Sequence, residues 1–287
     1  MKNIDILTPI VDEPELMGQI AACNVTNDVF AMNVPEISGM LVFLAMNTSM
    51  PMEIAERILK GIKYFIEKKI NSKVVGGHTI FSEWPLIGGE ASGFVEKKSL
   101  IRKQGVSLGD KLILTKPIGL QGVMAAYRVL RDFPEMLQAY SEEELRESIN
   151  LAIKIMTTPN QDVVHTIHSY KDFSFIHAMS DVTGFGLAGH LKEMLQNSKL
   201  SALIEKTPSI RFSKELSAEL GYSFDDCLCS ETAGGMLIAI DPLKVDDFSN
   251  SLLSKGISNW IVGTIDNVKP EFVRVSENVE NIEITKI

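Results

Sequence analysis

The chain has 287 residues, 45% of them apolar and 23% charged, the balance of a folded globule rather than of a disordered or fibrous chain. That length exceeds what one hydrophobic core organises comfortably, so two domains are expected. A formal charge of −9 argues against a nucleic-acid-binding surface, which needs clustered Lys and Arg, and is compatible with an enzyme that collects divalent cations. No apolar run approaches the roughly 18 to 20 residues of a membrane span.

Residues 3–11 read as a strand closing at Val-Asp-Glu-Pro. The start turns acidic too soon for a signal peptide, and three cysteines form no disulfide framework, so a reducing cytoplasm is the expected compartment. A helix should follow from Pro14 to Met32, with Leu16, Ile20 and Ala21 on one side. Asn24 and Asp28, four residues apart, share a face. Ile37–Met46 reads as a buried strand. Pro51 opens a helix to about residue 69, in which Ile54, Ile58, Ile62, Phe65 and Ile66 repeat at the helical period. SKVVGGHTI reads as a short strand feeding a glycine turn, and IGGEASGFV as another strand. The segment 97–110 is polar and glycine-punctuated, the best candidate for a connection between domains. Beyond it, KLILTKPIG starts a second unit, with strands near FIHAMSD, GGMLIAI and NWIVGTI and a helix after Gly186.

Two carboxylates stand out. Asp28 lies in a stretch suited to burial, where a charge must be hydrogen-bonded, paired or cation-bound; an N-cap or a solvated helix end is the alternative. Asp181 follows the apolar FIHAM and precedes VTGFG, and capping of the next helix by Asp or Thr competes there with cation binding. Gly76 and Gly77 before His78 could bring backbone N–H groups close to phosphate oxygens, although such pairs also make plain turns. SETAGGML, 230–237, is a second loop of this kind. Cys227 and Cys229 lack the further Cys or His of a zinc site, and the neighbouring Asp225 and Asp226 would blunt their reactivity. They and Cys23 read as buried or incidental thiols.

The order of the segments is more specific than any one of them. DILTPIVDEPELMGQIAACNVTNDVFAM, then VVGGHTI, GDKLILTKPIG, SDVTGFGLAGHLKEM and TAGGMLIAI resemble the selenophosphate synthetase (selenide, water dikinase) family of the aminoimidazole ribonucleotide synthetase superfamily. The resemblance implies an α+β fold of two domains: an N-terminal ATP-binding and dimerisation domain over 1–100 and a C-terminal α/β domain over 106–287. It implies a homodimer that binds ATP across its interface with Mg2+ held by aspartates, and a small chalcogen substrate, selenide. Carried over by motif, Asp5 would contact nucleotide and metal, and Asp28 would be a metal ligand beside the phosphates. Gly76, Gly77 and His78 would reach the partner subunit's nucleotide, and Asp181 would complete the metal cluster.

The family's glycine-rich segment with a reactive Cys or selenocysteine, its nearby lysine and its Asp-Asp-Ala motif have no counterpart in this sequence, so no nucleophile or general base is assigned. A selenocysteine codon read as a stop, a trimmed chain, or a divergent branch with altered chemistry would each produce this pattern. Asn27, Asn33 and Ser230-Glu231-Thr232-Ala233 also depart from the family's usual residues. The rival readings are another ATP-using activity of the superfamily and a nucleotide-binding partner without catalysis.

Overall fold

The computed structural model describes residues 1–267 and 272–287 and divides into two compact units, 1–100 with 156–168, and 101–155 with 169–287. The expectation of two contiguous domains therefore takes one amendment: 156–168 return to the first unit.

In the first unit β1 (Lys2–Leu7) is followed by α1 (Pro14–Ala31), β2 (Ile37–Met46), α2 (Met52–Tyr64), β3 (Val74–Phe81) and β4 (Leu86–Gly93). This is the strand, helix, strand, helix, strand, strand order read from the sequence. The sheet runs β1-β4-β2-β3, with β3 parallel to β2 and the other pairs antiparallel. Pro14 sits in the first turn of α1, where its missing N–H costs nothing. The helix is buried nearly all round because α2 covers the side turned from the sheet. Two glycines permit that crossing: a Cβ on Gly18 would stand 2.1 Å from the Ile58 carbonyl oxygen, and one on Gly61 2.0 Å from that of Glu15. The helix predicted to residue 69 changes register at its end, because Phe65–Lys69 form a single π-helical turn. The helix Gln161–His168 belongs to this unit; Gln161 donates to the Pro35 carbonyl (2.9 Å), and Thr158 O accepts from the Cys23 thiol (3.3 Å).

Gly76, Gly77 and His78 make no turn. They lie inside β3, an edge strand among the described residues, because β2 supplies a partner for the whole segment from Leu41 to Met46. A Cβ on Gly77 would stand 2.4 Å from the Val42 carbonyl oxygen, so glycine here serves a close strand approach.

The second unit begins with β5 (Lys111–Leu114), α3 (Leu120–Asp132) and α4 (Glu142–Met156). Counting Gln161–His168 as α5, it continues with β6 (Ile176–Asp181), α6 (Gly186–Met194), β7 (Ser201–Ile210), α7 (Ser213–Leu220), β8 (Met236–Ile240), α8 (Val245–Ser254), β9 (Trp260–Asp266) and β10 (Val273–Ile284). The sheet order is β10-β7-β9-β5-β8-β6. Leu112, Leu114, Leu187, Leu191, Leu237 and Val262 form part of its core. Among the described residues no helix is long and apolar enough to cross a membrane.

Candidate active site

Cross-strand register assigns each predicted residue of the first unit to a face of its sheet. Asp5, Gly89, Val42 and Gly77 are paired in one row, and Ile6, Gly88, Phe43 and His78 in the next. Neighbouring rows point to opposite faces. The Asp5 row faces the helices, since Asn24 of α1 donates to Asp5 Oδ2. The Ile6 row faces away from them.

The first unit brings Asp5 and Asp28 together. Asp5 Oδ1 accepts from the Ile6 N–H (2.9 Å). Asp28 Oδ2 accepts from Asn3 Nδ2 (2.9 Å), which also donates to the Val25 carbonyl (3.1 Å). Burial, then the charge of Asp28, pushes the Asp5 carboxyl above its ordinary range. Two carboxylates that oppose each other's ionisation, with two amide groups beside them, form an all-oxygen donor set that a hard cation would relieve. Asp28 is accordingly neither a cap nor a solvated helix end. Asn24 was legible from its spacing to Asp28; Asn3 was not, because its contact depends on how β1 lies against α1. Among the described residues no group of three or more His, Cys, Asp or Glu stands ready for a metal.

Gly76 to His78 lie at the other edge of this sheet, three strand spacings or about 14 Å from β1. They help line a cavity of about 330 Å³ with Val42, Val74, Thr79, Leu59 and Lys63. Lys63, on α2, is a cation that motif matching overlooked; its position one turn from Leu59 on the amphipathic helix was the available signal.

In the second unit Asp181 ends β6, paired with Met236 of β8 and 1% exposed. It does not cap the next helix: α6 starts at Gly186 after Phe185, with no side-chain cap. Instead, backbone bonds hold the turn after Asp181. Val182 N–H donates to Gly235 O (2.9 Å), and Thr183 O accepts from the N–H groups of Gly186 (2.9 Å) and Glu231 (3.0 Å). A Cβ on Gly234 would stand 2.1 Å from Val182 O, which explains the glycines of the 230–237 loop. Glu231, buried, accepts from the N–H groups of Gly119 (2.7 Å) and Leu120 (2.9 Å) at the start of α3. Burial pushes its carboxyl up to about 8 against the pull of those two bonds.

The surroundings of Cys227 and Cys229 work against thiolate formation. Burial raises Cys227 to about 12 and Cys229 to about 11, with nearby acids adding to both. Cys23 is buried within α1.

Models of AIR synthase related proteins match this chain, the N-terminal domain over residues 3–95 and the C-terminal domain over 108–276. The selenide, water dikinase of Methanococcus maripaludis is 38% identical over 99% of this chain and 85% of its own length. That of Methanocaldococcus jannaschii is 36% identical over 99% and 81%. Among solved structures, thiamine monophosphate kinase from Aquifex aeolicus superposes with a TM-score of 0.73 at 19% identity, over 99% of this chain and 88% of the other; at that identity the likeness concerns the fold. The chain belongs to the selenide, water dikinase family of AIR synthase related proteins.

Proposed function

We propose that this chain is an ATP-dependent selenophosphate synthetase that converts selenide, ATP and water to selenophosphate, AMP and orthophosphate. The identity of 36–38% to two selenide, water dikinases over nearly the whole chain carries this reading. The opposed carboxylates of Asp5 and Asp28 add a chemical reason. In this reading Asp28 and Asp181 hold Mg2+, with Asp5 at the nucleotide and metal. When bound, the ion neutralises phosphate charge and aligns the transferred group. The residues themselves supply oxygen donors fixed in advance by Asn3 and by the backbone around Asp181.

Gly76, Gly77 and His78, with Lys63, bind nucleotide at the opposite edge of the sheet. Asp5 cannot share one phosphate with them in the same subunit across about 14 Å, which favours a site assembled by two chains. A homodimer would also cover the face turned away from the helices, where Ile4 and Leu41 are 73% and 45% exposed. The expected compartment is the cytoplasm, where the buried thiols stay reduced.

Anaerobic incubation with ATP, Mg2+ and selenide should release AMP in step with a new phosphorus resonance from selenophosphate. AMP release that does not respond to selenide would overturn the substrate. Asp181→Asn should remove the magnesium dependence of ATP binding while leaving the fold intact; an unchanged magnesium response would overturn the metal assignment.

A further inference from the structure

Beside its backbone bonds, the turn that follows Asp181 is held by two side chains: the Ser230 hydroxyl donates to Gly184 O (2.8 Å), and His190 bonds to Thr183. The Thr183 N–H donates to a side chain, His190 Nε2, at 3.0 Å, and the Thr183 hydroxyl lies 3.1 Å from the same nitrogen. His190 sits on α6, 4% exposed, with its ring centroid 5.5 Å from that of Phe185. Its other nitrogen, Nδ1, stands 3.3 Å from Glu193 Oε2, and that same oxygen is 3.0 Å from Lys103 Nζ. An imidazole that accepts an amide hydrogen at Nε2 must be neutral and carry its proton on Nδ1. The surroundings favour this form: burial, then the Lys103 ammonium, outweigh Glu193 and depress the imidazolium to about 4.

We propose that His190 is a positioning residue for Asp181: by accepting the Thr183 amide hydrogen it fixes the turn from Val182 to Gly186, and so sets the direction in which the Asp181 carboxylate meets a divalent cation. The assignment rests on the reading of Asp181 as a magnesium ligand. Val182 and Thr183 are the two residues after that carboxylate. With Val182 tied to Gly235, the Thr183 carbonyl to Glu231 and the Gly184 carbonyl to Ser230, the Thr183 amide is the point at which a side chain of α6 sets the rotation of the turn. Glu193 and Lys103 act on the imidazole and not on the turn. The Glu193 carboxylate 3.3 Å from Nδ1 favours the proton on that nitrogen, which leaves Nε2 as the acceptor.

Three measurements test this. In the wild-type chain, 15N shifts of His190 should report a neutral ring protonated at Nδ1; a ring protonated at Nε2 overturns the proposal without any variant. In His190→Leu, the Thr183 amide should exchange with solvent about fivefold faster, as expected for one lost hydrogen bond. The magnesium concentration that half-saturates ATP binding should rise by about five- to tenfold. His190→Gln, whose carbonyl can occupy the Nε2 position, should recover both values. His190→Asn, too short to reach Thr183, should behave like the Leu variant and carries the same test should that variant not fold. Faster exchange with an unchanged magnesium midpoint would overturn the positioning role. Failure of the underlying metal reading looks different: Asp181→Asn would then leave the magnesium midpoint unmoved, while the ring tautomer and the Thr183 exchange would stay as stated.

Discussion

Glu231 combines a buried carboxyl with two amide donors, and its titration can be isolated by Glu231→Gln. Burial raises the folded-state value from 4.5 to about 8, so the native side chain keeps a proton that the unfolded one has already released. A folded-state value above the unfolded one gives stability that is fully present below about 4.5 and is lost as pH rises towards 8. Across that interval the loss is about 1.4 kcal/mol per pH unit, on the order of 2–3 kcal/mol between about pH 5.5 and 7.5. Glutamine cannot titrate. It accepts from one of the two amides and sets its own donors against the other, a cost of roughly 1–3 kcal/mol that does not vary with pH.

The informative quantity is therefore the change with pH of the difference between wild type and variant. The chain has two tryptophans, Trp84 in the first unit and Trp260 on β9 of the second. In a Trp84→Phe background, urea unfolding followed by Trp260 fluorescence reads the unit that contains Glu231. The difference should move by roughly 2–3 kcal/mol in favour of the variant from about pH 5.5 to 7.5. Parallel curves would refute the reasoning. They would mean that the two amide bonds and the α3 dipole keep Glu231 ionised in spite of burial.

Other outcomes follow from the first unit. Asp5→Asn removes the repulsion with Asp28, so the ligand-free chain should melt slightly higher while Mg2+ no longer raises the melting temperature of the ATP complex; calorimetry with and without the ion checks both. Gly77→Ala places a Cβ 2.4 Å from the Val42 carbonyl oxygen, and thermal melting should show a loss of about 1–3 kcal/mol, the usual cost of overpacking. Mixing Asp28→Asn subunits with His78→Ala subunits should restore about one quarter of wild-type turnover if each site draws on two chains of a twofold dimer; no recovery would place the whole site in one chain.

The first unit was largely legible because its elements are long, prolines mark the starts of both long helices, and α2 carries a clean apolar period. The glycine pair at 76–77 misled because Gly-Gly reads as a turn by local rules, whereas a neighbouring strand that needs a near approach selects it equally well. Two strands of the second unit carried no readable signal. In β7, Pro208 lies beyond Ser201–Ile204, the part paired with β9; there β10 lies on one side and only an isolated bridge to Ile118 on the other, and a proline argues against a strand paired fully on both sides. VRVSENVENIEI, the β10 segment, sets Val273 and Val275 on the core but loses its alternation at an irregularity between Val275 and Glu280, as an edge strand can. Asp181 was recognisable as an acid in apolar surroundings, but the choice between cap and ligand depended on α6 starting five residues later. His190 reads as one more residue of an amphipathic helix, since its partner is a backbone amide that no side-chain pattern marks.

The groups proposed to bind metal and nucleotide lie at two edges of the first sheet. The carboxylates use the face on which α1 lies, because only a helix packed there can bring Asn24 and Asp28 against β1. β3 sits at the far edge, where its outer N–H and C=O groups face no strand among the described residues, and where glycine at position 77 keeps the helix-side surface low beside Lys63. Backbone donors, a lysine and little side-chain bulk suit phosphate oxygens, while paired carboxylates repel them unless a cation intervenes. Placing the two sets side by side in one chain would leave the empty site with both an unscreened anion pair and an open strand edge. In the proposed dimer the two sets, with two strands between them in one chain, would meet only when a second chain covers the face on which the apolar Ile4, Ile6 and Leu41 are exposed.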